Sequence, residues 1–158
     1  MKGQHHYKST IKWTGSNGTG TDDYKKYQRS HQILIENKSV ISGSSDSAFL
    51  GDKTKHNPED LLVASLSSCH MLWYLHLCSE AGVVVMDYID NAIGIMTETK
   101  NGGGKFTEVT LNPIVIVKES SMFDKATELH RKANELCFIA NSVNFPVHHN
   151  PSIKISED

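Results

Sequence analysis

A chain of 158 residues has room for one domain, spanning 1–158 around a single core, and not for two independent ones. With 38% hydrophobic and 22% charged residues it is too apolar to stay disordered, and its net charge of −2, without any run of Lys or Arg, argues against a nucleic-acid partner. The N-terminal MKGQHHYKST lacks the apolar stretch of a signal peptide, and no segment reads as the roughly 20 apolar residues of a bilayer span, so the expected address is cytoplasmic, with no membrane partner.

YKSTIKW (residues 7–13) alternates as a strand does, and the Gly/Asn/Asp cluster GSNGTGTDD (15–23) reads as a turn. YQRSHQILIE (27–36) alternates again, which sets Tyr27, Arg29, His31, Ile33 and Ile35 on one face and places Arg29 on the apolar side. The polar, glycine-dotted stretch 42–57 is expected to be a loop. A helix then starts at Pro58, because proline suits the first helical position, Asn57 is a good N-cap, and Glu59 and Asp60 put negative charge in the first turn. It is expected to run to about Ala81, with Gly82 ending it. Residues 83–100 are rich in β-branched side chains and read as one long strand, NGGGK (101–105) as a hairpin turn, and 106–119 as the returning strand, in which Pro113 argues for an edge or a bulge. Ala126, Leu129, Ala133, Leu136 and Ala140 at helical spacing give a second amphipathic helix over 122–141, and a last strand around 151–156 closes the chain. Strands, helix, strand pair, helix and strand in this order make an α+β domain.

Thiols stay reduced in the cytoplasm, so the three cysteines are not a disulfide scaffold and any disulfide among them is transient and catalytic. At about 100° per residue, residues 62, 65, 73 and 76 share the helix face of Cys69, while Cys78 points about 180° away and reads as a small buried hydrophobe. Cys137 falls on the second helix, close to its apolar stripe. Side-by-side packing of the two helices lets Cys69 and Cys137 meet, although the same pattern suits two cysteines that merely fill space. A reactive thiol needs a cation to keep it ionised at neutral pH. The chain has two arginines, Arg29 and Arg131. An inward Arg29 needs an anion, either a thiolate or the carboxylate of Glu59, whereas an Arg29 on an edge strand lies in water. The nine histidines carry no CxxC, HxxxH or HExxH spacing, and the His pairs at 5–6 and 148–149 are neighbours that diverge, so no metal or cofactor is expected. His70 points about 100° away from Cys69, and His76 lies roughly 10 Å further along the axis, too far for direct proton exchange.

NPEDLLVASLSSCHM (57–71) resembles the OsmC/Ohr family of thiol peroxidases, in which an Asn-Pro-Glu opening leads about ten residues later to the peroxidatic cysteine. ELCFIANSV (135–143) is similar to the family's Cys-Pro-x-Ser-Asn segment near the C-terminus, with Phe138 in place of the proline and Asn141 and Ser142 displaced or reversed. The two cysteines stand about 68 residues apart, and the order and spacing of the elements match over almost the whole chain. The resemblance implies an OsmC-like fold, with two long central helices wrapped by antiparallel sheets, in an intertwined homodimer whose two active sites lie at the subunit interface. It further implies that Cys69 is the peroxidatic cysteine, Cys137 the resolving one, Glu59 the carboxylate that orients an arginine, and Arg29 that arginine.

The implied activity is thiol-dependent reduction of organic hydroperoxides, and less efficiently of hydrogen peroxide, with a dithiol or lipoyl-type reductant restoring the thiols. Apolar side chains placed near the cysteines, among them Leu62, Leu66, Trp73 and Phe138, favour an alkyl peroxide by burying its carbon chain. Two other classes stay open. One is a non-catalytic protein of the same fold that binds a hydrophobic small molecule, and the other is a hydrolase with Cys69 as nucleophile and a histidine as its base.

Overall fold

In the computed structural model, which describes residues 3–156, the first of two units ends at Leu61 and is built on a three-stranded antiparallel sheet. Its strands are β1 (Thr10–Trp13), β2 (His31–Leu34) and β3 (Ile41–Gly43), with Trp13 opposite His31 and His31 opposite Gly43. The stretch expected to be a loop from residue 42 therefore starts inside a strand, and it also holds a short 3₁₀ turn over Ser47–Phe49. β2 is shorter than the alternation suggested and leaves Arg29 outside it, in the segment that leads into the sheet.

Helix α1 (Pro58–Glu80) begins at the end of the first unit and runs on into the second. Its start follows from a reciprocal cap: Asn57 Oδ1 accepts the Asp60 N–H at 2.7 Å, and the Asp60 carboxylate accepts the Asn57 N–H at 3.4 Å. Its end follows from Gly82, whose φ of +73° is open to glycine at little cost. The Val83 N–H then donates back to the Cys78 carbonyl at 2.9 Å and the Gly82 N–H to the Ser79 carbonyl at 3.3 Å, which closes a Schellman turn. Contrary to the expectation from sequence, this 23-residue helix is long and apolar enough, by length and composition, to cross a bilayer. Its buried residues Leu66, His70, Tyr74 and Cys78 recur every fourth position and form one stripe against the core of the second unit.

The second unit contains two three-stranded sheets, β4–β7–β9 and β5–β6–β8. β4 (Val85–Asp90) and β5 (Ile93–Glu98) replace the single strand expected over 83–100, and β6 (Gly104–Leu111) and β7 (Pro113–Val117) replace its partner. The long hairpin is broken at the same level on both arms. Asp90 Oδ1 accepts the Asn112 N–H at 2.7 Å, Asp90 Oδ2 accepts the Ser67 hydroxyl at 2.6 Å, and Asn112 Nδ2 donates to the Asn91 carbonyl at 3.0 Å. These bonds use backbone groups that a continuous ladder needs, so each arm passes from one sheet to the other. Pro113 is the first residue of β7, the central strand of its sheet, where a missing N–H is tolerated; the edge or bulge expected of it is absent. The last strands, β8 (Val147–His149) and β9 (Ser152–Ile155), join β6 and β7 in parallel, which makes both sheets mixed where antiparallel sheets were expected.

Helix α2 (Phe123–Leu136) is shorter than the expected 122–141. Its Ala126, Leu129 and Ala133 meet Tyr74 and Cys78 of α1 and Val115 and Val117 of β7 in one core cluster, while Leu66, Val109 and Leu111 centre a second. Cys78 is buried, and burial pushes its thiol up from the usual value.

Two histidines, His70 and His130, occupy this interior, and the half-buried His149 borders them. His70 Nε2 and His130 Nδ1 are 3.0 Å apart, the two rings are near-parallel at 7°, and His149 lies 5.6 Å from His70 by ring centroids. Tyr74 stacks on His130 at 3.8 Å. One nitrogen of the His70–His130 bond must be bare, so both rings cannot be cationic in this arrangement. Burial, reinforced by the neighbouring imidazoles, pulls His70 down to about 4 and His130 to about 3. The unfolded chain takes up protons on these rings below about pH 6.5 and the folded chain only near 4 and 3, so stability present at neutral pH is lost as pH falls across that window. Urea unfolding is expected to show a loss of about 2 kcal/mol per ring between pH 7.5 and 5. His130→Gln should flatten the curve; an unchanged slope would remove the cluster as its source.

Candidate functional site

Cys69 flanks the buried stripe of α1, about 60° around the helix from Leu66, and is half-buried. Cys137 is buried. It does not lie on the second helix as the periodicity suggested: it is the residue after the last helical one, with extended backbone at φ −65° and ψ 111°. Helix α2 stops there because its last groups are taken by local partners. The Cys137 N–H closes a tight turn onto the Asn134 carbonyl at 3.3 Å, and Asn141 Nδ2 donates to the Glu135 carbonyl at 3.0 Å.

The segment after Cys137 is a hydrogen-bonded knot around its sulfur. Cys137 Sγ accepts the Ala140 N–H at 3.4 Å, its carbonyl accepts the Asn141 N–H at 3.0 Å, and the Ser142 hydroxyl donates to the Phe138 carbonyl at 2.7 Å. Cys69 is the neighbour of this sulfur. Burial first, and then Cys69 as a hydrogen-bond partner, push the Cys137 thiol up to about 11, against the opposing N–H of Ala140. All three cysteines are free thiols.

Next to the pair stands an aromatic group. Trp73, one turn after Cys69, meets the Phe138 ring edge-to-face with centroids 5.5 Å apart at 86° and the exposed His76 ring at 5.9 Å, and it packs against the core cluster of Tyr74 and Cys78. Of the apolar side chains expected at the cysteines, Trp73 and Phe138 touch each other beside them, whereas Leu66 is sequestered in the cluster of Val109 and Leu111.

Arg29 and Glu59 belong to the first unit. The guanidinium of Arg29 donates to the carbonyls of Tyr27 at 2.5 Å and Tyr24 at 2.7 Å and sits over both tyrosine rings, 4.2 and 4.4 Å from their centroids. It also lines a cleft of about 520 Å³ with Lys25, Lys26 and Asp52. The expected Arg29–Glu59 pair is not among the ion pairs of the described residues, which are all local pairs three or four residues apart. The physical reason is that two carbonyls and two aromatic faces already satisfy the cation. Among the described residues no group of three or more His, Cys, Asp or Glu is arranged to hold a metal ion.

The sequence reading passed over the His70–His130–His149 cluster and the knot that follows Cys137. His70 shares four-residue spacing with Leu66, Tyr74 and Cys78, which was the available signal for its burial.

The fold has counterparts. The family model for OsmC-like proteins matches residues 51–152. An OsmC-like protein of unknown function from Vibrio cholerae is 29% identical, with a TM-score of 0.84 over 94% of this chain and 100% of that one. An organic hydroperoxide resistance protein from Elizabethkingia anophelis is 18% identical at a TM-score of 0.68, covering 99% of this chain and 100% of its own. The organic hydroperoxide resistance protein OhrB of Bacillus subtilis, also 18% identical, has a TM-score of 0.60 over 95% of this chain and 98% of its own. No curated protein matches the sequence. The chain belongs to the OsmC-like protein family, and its α+β architecture is the OsmC/Ohr fold.

The two thiols at the site should differ in reactivity. With its thiol at about 11, Cys137 is ionised in roughly one molecule in three thousand at pH 7.5. Iodoacetamide at that pH is expected to label Cys69 about tenfold or more faster than Cys137 or Cys78, as read by peptide mass spectrometry.

Proposed function

We propose that this protein is a cysteine-based peroxidase that reduces organic hydroperoxides, and hydrogen peroxide less efficiently. The observation that carries the reading is the adjacency of Cys69, half-buried, and Cys137, buried with its thiol held protonated. A thiolate at Cys69 attacks the terminal oxygen of ROOH, the O–O bond breaks, and the alkoxide leaves as ROH after taking a proton. Cys69 is then a sulfenic acid. The Cys137 sulfur displaces its hydroxyl, forming the disulfide and releasing water, and a dithiol or lipoyl-type reductant takes up the oxidation in turn.

Arg29 enters this reading through the resemblance to the family alone, as the cation that favours the Cys69 thiolate; in the single chain its guanidinium is oriented by the Tyr24 and Tyr27 carbonyls, so Glu59 keeps the role of its orienting carboxylate only by that resemblance. The same resemblance supports a homodimer, and the surface of α1 agrees with it: Leu72, in the middle of the helix, is 63% exposed in the single chain. A cytoplasmic location fits three free thiols.

One equivalent of cumene hydroperoxide is expected to remove two hydrogens from the intact mass and to link Cys69 to Cys137. Cys69→Ser should abolish peroxide consumption, and Cys137→Ser should leave a single turnover that ends at the sulfenic acid. Arg29→Gln should slow the first oxidation about tenfold, with Arg29→Lys recovering part of the rate. A reduced protein of unchanged mass would sink the reading and favour a protein that binds a hydrophobic molecule without chemistry.

A further inference from the structure

We infer that Phe138 and Trp73 form a clip that positions Cys137 against Cys69, and so sets how readily the two sulfurs join. Phe138 is 68% exposed, so its ring is not held by the core. Its contact is the Trp73 ring, edge-to-face at 5.5 Å and 86°. The two rings stand one residue after one sulfur and one helical turn after the other, so this contact is a tie between the two segments that carry the thiols.

The remaining bonds of the Cys137 segment are internal to it or run to its own helix. Asn141 reaches Glu135, Ser142 reaches Phe138, and Ala140 reaches the Cys137 sulfur. Those bonds shape the knot; what ties it to α1 is the Cys69 partner of the Cys137 sulfur, the packing of Ile139 and Ala140 on the cluster of Leu66, and, at the outer surface, the Phe138 ring. Ile139 and Ala140 anchor the knot in the core through the cluster of Leu66, a residue of α1, with Val109 and Leu111. The rotation of the knot about that anchor is what the Phe138–Trp73 contact stops. Phe138 and Trp73 are therefore positioning residues that act through Cys137.

The inference names Cys137 as the partner of Cys69, as the peroxidase reading does, but its test uses no peroxide and separates the two. Diamide oxidises the thiol pair: two electrons and two protons pass to its N=N bond, the S–S bond forms, and a hydrazine results. The bond's stability is measured by equilibrating the full-length protein with mixtures of reduced and oxidised dithiothreitol. Phe138→Ala and Trp73→Ala are each expected to lower the protein's oxidation constant against dithiothreitol about fivefold and to slow closure by diamide by a similar factor. Phe138→Tyr should restore the wild-type values, and the double variant should be no worse than either single one, since both remove the same contact. Because Phe138 is exposed, Phe138→Ala is expected to fold, with circular dichroism as the control.

Wild-type values in Phe138→Ala, single effects that multiply in the double variant, or a wild-type protein that diamide cannot close would each overturn the clip. The hydroperoxide assay stands apart, so a protein that closes with diamide but ignores cumene hydroperoxide refutes the peroxidase and leaves the clip in place.

Discussion

The rotation of α1 about its own axis is the constraint on which the rest of the second unit depends. Leu66, His70, Tyr74 and Cys78 are buried in a single stripe, so the helix has one way to lie against α2 and β7. Cys69 follows from that choice. It stands at the margin of the stripe, half-buried, where solvent reaches one side and Cys137 the other. Turning the helix by one residue position, about 100°, would bury Cys69 and expose an imidazole that has found its partner inside.

The two flanks of α1 carry different chemistry. The inner flank is polar, with buried His70 and His130 and half-buried His149 gathered without a carboxylate among the groups that shift them. Neutral imidazoles tolerate such a setting only by bonding one another, as His70 and His130 do at 3.0 Å. A directional bond between α1 and α2 holds both the distance and the angle of the two helices, which apolar contacts alone fix less sharply. The outer flank carries the Cys69 sulfur, which faces Cys137, and its geometry inherits the rigidity of the inner one.

Much of this was legible from the chain. Asn57, Pro58 and Gly82 marked the bounds of α1 because caps are local chemistry, written within a few residues of the helix ends. The end of α2 was not legible. Leu129, Ala133, Leu136 and Ala140 keep helical spacing past the true end, and no glycine or proline interrupts them, while the stop is made by side-chain bonds such as that of Asn141 to Glu135. The long hairpin misled for a similar reason: β-branched residues continue through Asn91 and Asn112, and the break depends on Asp90 reaching both Ser67 and Asn112. The histidine cluster joins positions 60 residues apart, so no window of sequence contains it. Arg29 illustrates the opposite error, since period-two alternation assigned it a strand face when it precedes the strand and is held by Tyr24 and Tyr27.

The environment of Cys137 also orders events on the peroxidase reading. In the reduced protein its thiol is raised by burial and by the neighbouring Cys69, while the Ala140 N–H at 3.4 Å pulls the other way. When Cys69 becomes a neutral sulfenic acid, the charge of its thiolate is gone and its repulsion with it, whereas the Ala140 N–H stays and still favours a negative sulfur. Ionisation of Cys137, still opposed by burial, is thereby eased in part once Cys69 has been oxidised. Burial, the larger cause, keeps the resolving thiol quiet at rest and spares it from direct attack by peroxide, while loss of the Cys69 charge lowers the barrier to its ionisation in part, at the step where a nucleophile is wanted.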